Sequence, residues 1–190
     1  THHAGATAAT TLRRRPVHSR RARATMVRVF IRAARADDVD FLTDMLIESF
    51  NWTGEHHLER SQVMGNPDVA HYVDGWPRSG DVGVVALDDE GKRIGAAWVR
   101  LLAADDPGFG YVDPDTPEVT VAIDPAHRGQ GVGRALLEAL LDAAAAHGYR
   151  RVSLSVEDGN PAARLVHDLG FEDVRDADGS TTMVRSLSRR

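Results

Sequence analysis

The chain has 190 residues, of which 42% are hydrophobic and 27% charged, and its formal net charge at pH 7 is −5. This length suits one well-packed domain and is short for two, and the composition is that of a soluble globular protein. The absence of cysteine excludes a disulfide framework, a thiolate metal site and a cysteine nucleophile. No apolar run approaches the ~18 residues of a membrane span, so we expect a cytoplasmic protein without a membrane partner.

Positive charge is concentrated at the start of the chain. Residues 1–25 contain six arginines, no acidic residue and no apolar periodicity. The segment can be interpreted as a transit-like or nucleic-acid-binding arm, or as a disordered leader before Met26. We predict the leader over 1–25 and one folded domain over 26–190. All 28 acidic residues then lie in the domain, which disfavours nucleic acid as a partner and favours a cationic or amine-bearing small molecule.

Hydrophobic periodicity and turn signals divide the domain into helices and strands. Helix starts are indicated at Asp37-Asp38 and Asn160-Pro161, and a hairpin turn at 88–91. The order implies a mixed sheet with helices on both faces. The predicted elements are a strand over 27–32, a helix near 37–50, a short helix near 67–74, strands over 82–87 and 93–102, a loop over 103–117, a strand over 118–123, a helix to His147, a strand over 149–156, a helix through His167, and a closing hairpin of 171–174 with 181–187.

The clearest chemical signal lies between the fourth predicted strand and the helix after it. The strand meets a turn at Asp124-Pro125, and the glycine-rich loop 128–133 leads into a long amphipathic helix. Such a loop exposes backbone N–H groups at a helix N-terminus, so it can hold phosphates without a lysine. A Walker loop is excluded because no Gly-Lys pair precedes Ser or Thr, and a dinucleotide fingerprint because the third glycine comes one position early.

Three segments resemble the GCN5-related N-acetyltransferase (GNAT) superfamily. Arg128-Gly129-Gln130-Gly131-Val132-Gly133 is similar to the family's R/Q-x-x-G-x-G/A motif, Asn160 to Phe171 resembles its N-x-A…L-G-F helix, and Ile31 to Asp38 resembles its opening strand and helix start. The resemblance covers about residues 27–175. It implies a mixed, mostly antiparallel sheet of six or seven strands, with helices on both faces and a splayed central strand pair. Acetyl-CoA or another acyl-CoA is the implied cofactor, and a homodimer is one implied assembly.

The resemblance also assigns cofactor contacts. The loop N–H groups would hold the CoA pyrophosphate, and the strand before the loop would pair with the pantetheine amides because the strand 149–156 splays away from it. Asn160 would hydrogen-bond the pantetheine arm as well as cap its helix. The expected cofactor-binding residues are Val121, Ala122, Ile123, Arg128, Gly129, Gln130, Gly131, Val132, Gly133, Arg134, Asn160 and Ala163.

Glu118 is the expected general base for direct attack of an amine on the thioester. Strand alternation places it on the same face as Thr120 and Ala122, and a solvated carboxylate at a strand edge is the alternative interpretation. The tyrosine that acts as general acid in the family would fall at Val166, which cannot donate a proton. Tyr111 and Tyr149 are candidate substitutes, of which we select Tyr111. Water can also suffice, because a thiol has a reference pKa of ~8.5.

The acceptor pocket is expected to have aromatic and acidic walls suited to a small amine. Its expected residues are Trp52, Trp76, Tyr111 and Glu118, although each tryptophan can equally be a packing residue. The adjacent pair His56-His57 lacks spaced ligands, so we expect no metal. The expected function is acetyl transfer from acetyl-CoA to a primary amine of a small molecule. A non-catalytic acyl-CoA-binding regulator, favoured by Val166, and a peptide or protein N-acetyltransferase are the alternatives.

Overall fold

A computed structural model describes residues 28–54 and 57–188, so the predicted leader and His56 lie outside the described residues. Within these ranges none of the helices combines the length and the hydropathy of a membrane span. The described residues form seven strands and five α-helices: β1 (Phe30–Ala33), α1 (Val39–Phe50), α2 (Arg60–Met64), α3 (Pro67–Ala70), β2 (Val82–Leu87), β3 (Arg93–Arg100), β4 (Glu118–Ile123), α4 (Val132–His147), β5 (Arg151–Glu157), α5 (Ala162–Asp168), β6 (Glu172–Ala177) and β7 (Ser180–Ser186).

The strands form one sheet in the order β1-β2-β3-β4-β5-β7-β6. Every neighbouring pair is antiparallel except β4 and β5, which are parallel. The predicted mixed, mostly antiparallel sheet is confirmed, with seven strands. The element bounds differ most at α3, which ends at Ala70 although the prediction extended it to 74, and at β6, which extends to Ala177 although the prediction ended it at Val174. All six of its residues are exposed, so pairing with β7 sets its length and no apolar alternation marks its end.

Helices cover both faces of the sheet, as predicted. On the side that we call the α4 face, Leu136, Leu140 and Ala144 of α4 pack with residues of α5 and are fully buried. On the other side, the α1 face, Leu42 and Leu46 of α1 pack against the inner strands. The strands therefore contribute alternate residues to two separate cores.

The sheet opens between β4 and β5. The only residue pair that joins these two strands is Glu118 with Ser153, and there the Ser153 N–H donates to the Pro117 carbonyl at 3.0 Å. Beyond this point the strands diverge, and the rest of β4 has no strand partner on that side. The predicted splayed central pair is confirmed, and it leaves a cleft that connects the two faces of the sheet.

Candidate active site

The cleft between β4 and β5 has a volume of about 620 Å³. Its lining comes from both faces of the sheet because the splay interrupts the hydrogen-bonded layer. The lining residues that matter below are Phe50, Trp52, Tyr72, Phe109, Glu118, Val121, Glu157, Asn160, Val166, Arg175 and Thr182.

Glu118 lies at the apex of the cleft and is only 4% exposed. Its Oε1 accepts hydrogen bonds from the Tyr72 hydroxyl at 2.7 Å and from the Gly110 N–H at 2.8 Å. Its Oε2 is buried and has no hydrogen-bond partner among the described residues. Burial raises the pKa of Glu118 to about 7, because the loss of water around the carboxylate outweighs the two hydrogen bonds. The side chain can therefore take up or release a proton near neutral pH.

The loop between β3 and β4 covers Glu118 by means of two glycines. A Cβ added to Gly108 would lie 2.2 Å from Oε2 of Glu118 and 2.4 Å from the Tyr72 hydroxyl oxygen. A Cβ added to Gly110 would lie 2.6 Å from the backbone carbon of Leu154. Only glycine permits such close approach. The loop can therefore lie directly against Glu118 and β5, where it shields the carboxylate from bulk water.

Tyr72, between α3 and β2, positions Glu118 and was missed by the sequence analysis. Its hydroxyl donates to Glu118 and accepts the Phe109 N–H at 2.7 Å. Burial and the negative charge of Glu118 raise its pKa well above the ordinary value, so the phenol stays protonated. The two residues are 46 positions apart, and no pattern in the irregular segment before β2 connects them.

The structure separates the predicted aromatic residues of the acceptor pocket. Trp52 lines the cleft, and its Nε1 donates to Oε2 of Glu157 at 2.6 Å. Trp76 lies in the core of the α1 face and donates to the Arg35 carbonyl at 3.1 Å. Tyr111 lies outside the lining, packed against the same core. The positions of Trp76 and Tyr111 therefore differ from those expected of an acceptor wall or a proton donor, because Trp76 is buried in the core and Tyr111 packs against it.

The glycine loop has an open outer surface. Gly129 and Gly131 have φ angles of +70° and +86°, and a Cβ added to either would meet nothing within 4 Å. Gly131 is the N-cap of the 16-residue α4, so the first N–H groups of the helix meet no capping side chain. At Gly133 a Cβ would lie 3.1 Å from Ile123 Cδ1, and glycine allows α4 to pack on the end of β4.

Two side chains of the glycine loop form hydrogen bonds with neighbouring segments. Arg128 donates through Nε to the Ile123 carbonyl at 3.2 Å and through Nη2 to Glu48 at 3.0 Å. Gln130 turns back to the Ala126 carbonyl at 3.1 Å. These contacts hold the loop at the end of β4 and leave its glycine backbone uncovered.

Every second residue of β4 directs its backbone N–H and C=O groups toward the cleft. Because Ser153 bonds to Pro117, alternation directs the N–H and C=O groups of Val121 and Ile123 toward β5. Ala122 pairs with Ala96 of β3, and its side chain lies in the core of the α1 face. The inclusion of Ala122 among the cofactor contacts is therefore corrected, since its backbone faces away from the cleft.

The other predicted cofactor residues have different surroundings. Asn160 lines the cleft, and its Oδ1 caps α5 by accepting the Ala162 N–H at 2.9 Å. Ala163 lies outside the cleft lining and packs against the core of the α4 face, and Val132 is buried there. Arg134 is exposed and contacts Asp168 at 3.3 Å. Val166 lines the cleft as a buried apolar side chain, so no proton donor stands there.

No group of three or more potential metal ligands occurs within residues 28–54 and 57–188. His57, the described member of the histidine pair, is exposed. The side chains that line the cleft carry carboxylate, phenol, amide and guanidinium groups.

The raised pKa of Glu118 predicts a pH-dependent stability difference for Glu118→Gln. The folded carboxyl binds its proton more tightly than the unfolded one, so its contribution to stability is complete below about 4.5 and is lost as the pH rises through 7. As the pH rises between these limits, the free energy of unfolding of the wild type should fall by about 3 kcal/mol relative to that of Glu118→Gln. Chemical denaturation at several pH values measures this shift, and Glu90→Gln is the exposed control. A pH-independent difference would contradict the burial of the charge.

The fold and the site define a class of protein. A mixed sheet splayed at a parallel strand pair, a glycine loop at the following helix, and a buried carboxylate at the apex are the parts of a GNAT-type acyltransferase fold. Residues 40–171 match the sequence model of the Acetyltransferase (GNAT) family. The chain belongs to this family.

Comparison with known proteins adds named relatives. The chain is 38% identical over 116 residues to the mycothiol acetyltransferase of Streptomyces avermitilis, which is 57% of this chain and 36% of the relative. It is 43% identical over 65 residues to the L-methionine sulfoximine/L-methionine sulfone acetyltransferase of Salmonella typhimurium, covering 34% of this chain and 36% of the relative. Each match spans about a third of the curated relative.

A solved structure covers more of the chain. The structure of yncA from Salmonella typhimurium with its cofactor acetyl-CoA superposes with a TM-score of 0.61 at 25% identity, over 86% of this chain and 96% of that chain. The likeness extends over nearly the whole of that chain.

Proposed function

We propose that the protein transfers an acetyl group from acetyl-CoA to a primary amine of a small molecule. The observation that carries this proposal is Glu118, a buried carboxylate with a pKa of about 7 at the apex of the splayed sheet. Membership of the GNAT family and relatives named as acetyltransferases of small molecules support it. A cytoplasmic location and a possible homodimer belong to the same proposal.

The residues around the loop fit CoA. Acetyl-CoA, when bound, supplies the acetyl group as an activated thioester. The N–H groups of the loop from Arg128 to Gly133 would hold its pyrophosphate, because Gly129 and Gly131 leave open space beside the N-terminus of α4. The free backbone groups of Val121 would pair with a pantetheine amide. The side-chain nitrogen Nδ2 of Asn160, which has no hydrogen bond within the described residues, would donate to another pantetheine group.

Glu118 would activate the amine. A primary amine reaches the cleft mainly as its ammonium form, and it becomes a nucleophile only after losing a proton. Glu118 would accept that proton on Oε2, directly or through one water molecule, while Oε1 stays held by Tyr72 and Gly110. Because burial raises its pKa to about 7, Glu118 can exchange a proton near neutral pH, the condition under which a general base works well.

Val166 affects how the leaving thiolate is protonated, and it is also the residue that favours the main alternative function. An apolar residue in this position supplies no proton, so water would protonate the released thiolate. The same residue favours a non-catalytic acyl-CoA-binding domain.

Incubation with labelled acetyl-CoA and a panel of free amines and peptides separates these functions. Label on free amines supports the proposal, label on peptides alone favours a peptide acetyltransferase, and tight CoA binding without transfer favours the regulator.

Tyr72→Phe is expected to move the pH profile of activity to more alkaline pH. The hydroxyl donates to Oε1 and so lowers the pKa of Glu118. Its removal should raise the midpoint in kcat/KM by about one pH unit, since a hydrogen bond to a charged group contributes about 1.5 kcal/mol.

Tyr149→Phe is the matched control, because this phenol donates to the Gly80 carbonyl away from the cleft. A midpoint that stays at the wild-type value in Tyr72→Phe would show that Tyr72 does not act on the base. CoA affinity, measured in parallel, reports whether either variant has altered the cofactor loop.

A further inference from the structure

An arginine without an acidic partner among the described residues lines the cleft. Arg175 of β6 donates through Nη2 to the Tyr111 carbonyl at 3.1 Å and to Thr182 Oγ1 at 3.2 Å. It forms no ion pair with any described residue, and its Nε and Nη1 groups make no hydrogen bond there. In this acidic chain many arginines are instead paired with carboxylates, among them Arg32, Arg60, Arg100, Arg128, Arg134 and Arg151.

A β-bulge directs Arg175 into the cleft. The pairing of β6 with β7 shifts between Asp173 and Arg175, so that Asp173 lies opposite Met183 and Arg175 opposite Thr182. Met183 belongs to the core of the α4 face, and Thr182 lines the cleft. Without the extra residue Val174, strict alternation would place Arg175 on the α4 face. The bulge turns it to the α1 face, as bulges near active sites commonly redirect a side chain.

Arg175 and Glu118 lie on the same side of the cleft without touching. Their strands are separated by β5 and β7, and the two side chains form no ion pair. The loop between β3 and β4 contacts both, since Gly110 donates to Glu118 and the Tyr111 carbonyl accepts from Arg175. The positive charge of Arg175 contributes to lowering the pKa of Glu118. The cleft is therefore lined by a proton acceptor and a guanidinium group on the same side of the sheet.

We propose that Arg175 binds a carboxylate of the acceptor, so that the preferred acceptors are amino acids or other small amines that carry a carboxylate. This inference rests on the proposed acetyl transfer to an amine. Nη2 already donates to Tyr111 and Thr182, and the free Nε and Nη1 groups can each donate a charge-assisted hydrogen bond to a carboxylate oxygen. Such a contact directs the amine of the same molecule toward Glu118.

The aromatic wall leaves room for the remainder of such an acceptor. The rings of Phe50 and Phe109 meet edge to face at 6.0 Å, and Phe109 is 52% exposed. An apolar side chain of the acceptor can pack on this exposed ring. The glycine loop lies instead at the N-terminus of α4 on the opposite face, so Arg175 is placed for the acceptor and not for the CoA pyrophosphate.

Matched acceptors test the inference. Acetylation of L-phenylalanine, L-phenylalanine methyl ester and 2-phenylethylamine is compared, with the corresponding methionine set as a second series. The wild-type kcat/KM should be highest for the free amino acids. In Arg175→Gln it should fall about tenfold for the free amino acids and change less than twofold for the esters and amines. Arg175→Lys should retain part of the preference, because it keeps the positive charge.

Arg185→Gln is the matched control, since Arg185 lies on β7, outside the cleft lining, and forms no ion pair with the described residues. The inference is overturned if the wild type prefers esters and amines, if Arg175→Gln slows every acceptor equally, or if it raises only the KM for acetyl-CoA. If Arg175→Gln fails to fold, the wild-type preference and Arg175→Lys decide. Absence of transfer to every amine by wild-type protein would instead reject the proposed function itself, and the inference with it.

Discussion

Glu118→Gln is expected to lower kcat/KM for amine acetylation by about 10²–10⁴-fold, the usual contribution of a general base. Glutamine is nearly isosteric and its carbonyl can still accept from Tyr72 and Gly110, but it cannot take a proton from an ammonium group. CoA affinity should stay within about twofold, because the glycine loop is at the other end of β4. Steady-state kinetics and calorimetric titration with CoA measure the two effects separately.

The pH profile provides a sharper test of the same residue. In the wild type, kcat/KM should rise with pH and level off above about 7, as Glu118 loses its proton. The variant should lose this step and retain only the slope that comes from the acceptor amine. Glu138→Gln, an exposed change on α4, is the control for the substitution. A wild-type rate that does not vary between pH 5.5 and 8.5 would exclude Glu118 as the base.

Gly131→Ala is expected to weaken CoA binding by about 30–100-fold. The added Cβ would project into the open space where the loop N–H groups face the pyrophosphate, and charge-assisted hydrogen bonds of that kind are among the strong ones. The left-handed φ of +86° also costs a non-glycine residue about 1 kcal/mol of folding stability. Titration with CoA and thermal unfolding measure the two contributions.

Gly91→Ala separates the effect of backbone strain from the effect of filling the open space beside the loop N–H groups. Gly91 lies in the turn between β2 and β3, has a φ of +79°, and likewise has nothing within 4 Å of an added Cβ. Both variants should lose similar stability, but only Gly131→Ala should lose CoA affinity. Equal affinities in the two variants would mean that the pyrophosphate is held elsewhere.

One part of the site can be predicted from contiguous sequence, and the other part cannot. The loop 128–133, its helix and the strand before it are contiguous, so turn residues and periodicity indicated their geometry directly. Glu118 shares that strand and was also found. Tyr72 and Gly108 act on Glu118 from segments whose sequences have neither a period nor a motif. Their roles depend on the way in which the loop between β3 and β4 folds over the sheet.

Local patterns also fail where pairing between strands decides which face a residue occupies. Alternation along β4 was sufficient to place Glu118, Thr120 and Ala122 on one face, but which backbone groups of β4 stay free depends on its single contact with β5. The bulge in β6 reverses the side of the sheet on which Arg175 lies. The sequence around Val174 contains no glycine or proline that would indicate a bulge.

For this protein, the amino-acid order was enough to predict the family, the type of sheet, the glycine loop and the carboxylate that we propose as the base, because local motifs and periodicity indicate them. The burial that raises the pKa of Glu118, the phenol that holds it, and the free guanidinium in the cleft come from segments far apart in the chain. Their environment follows from which elements pack together, and the burial of Trp76 in the core and the packing of Tyr111 against it show the same dependence.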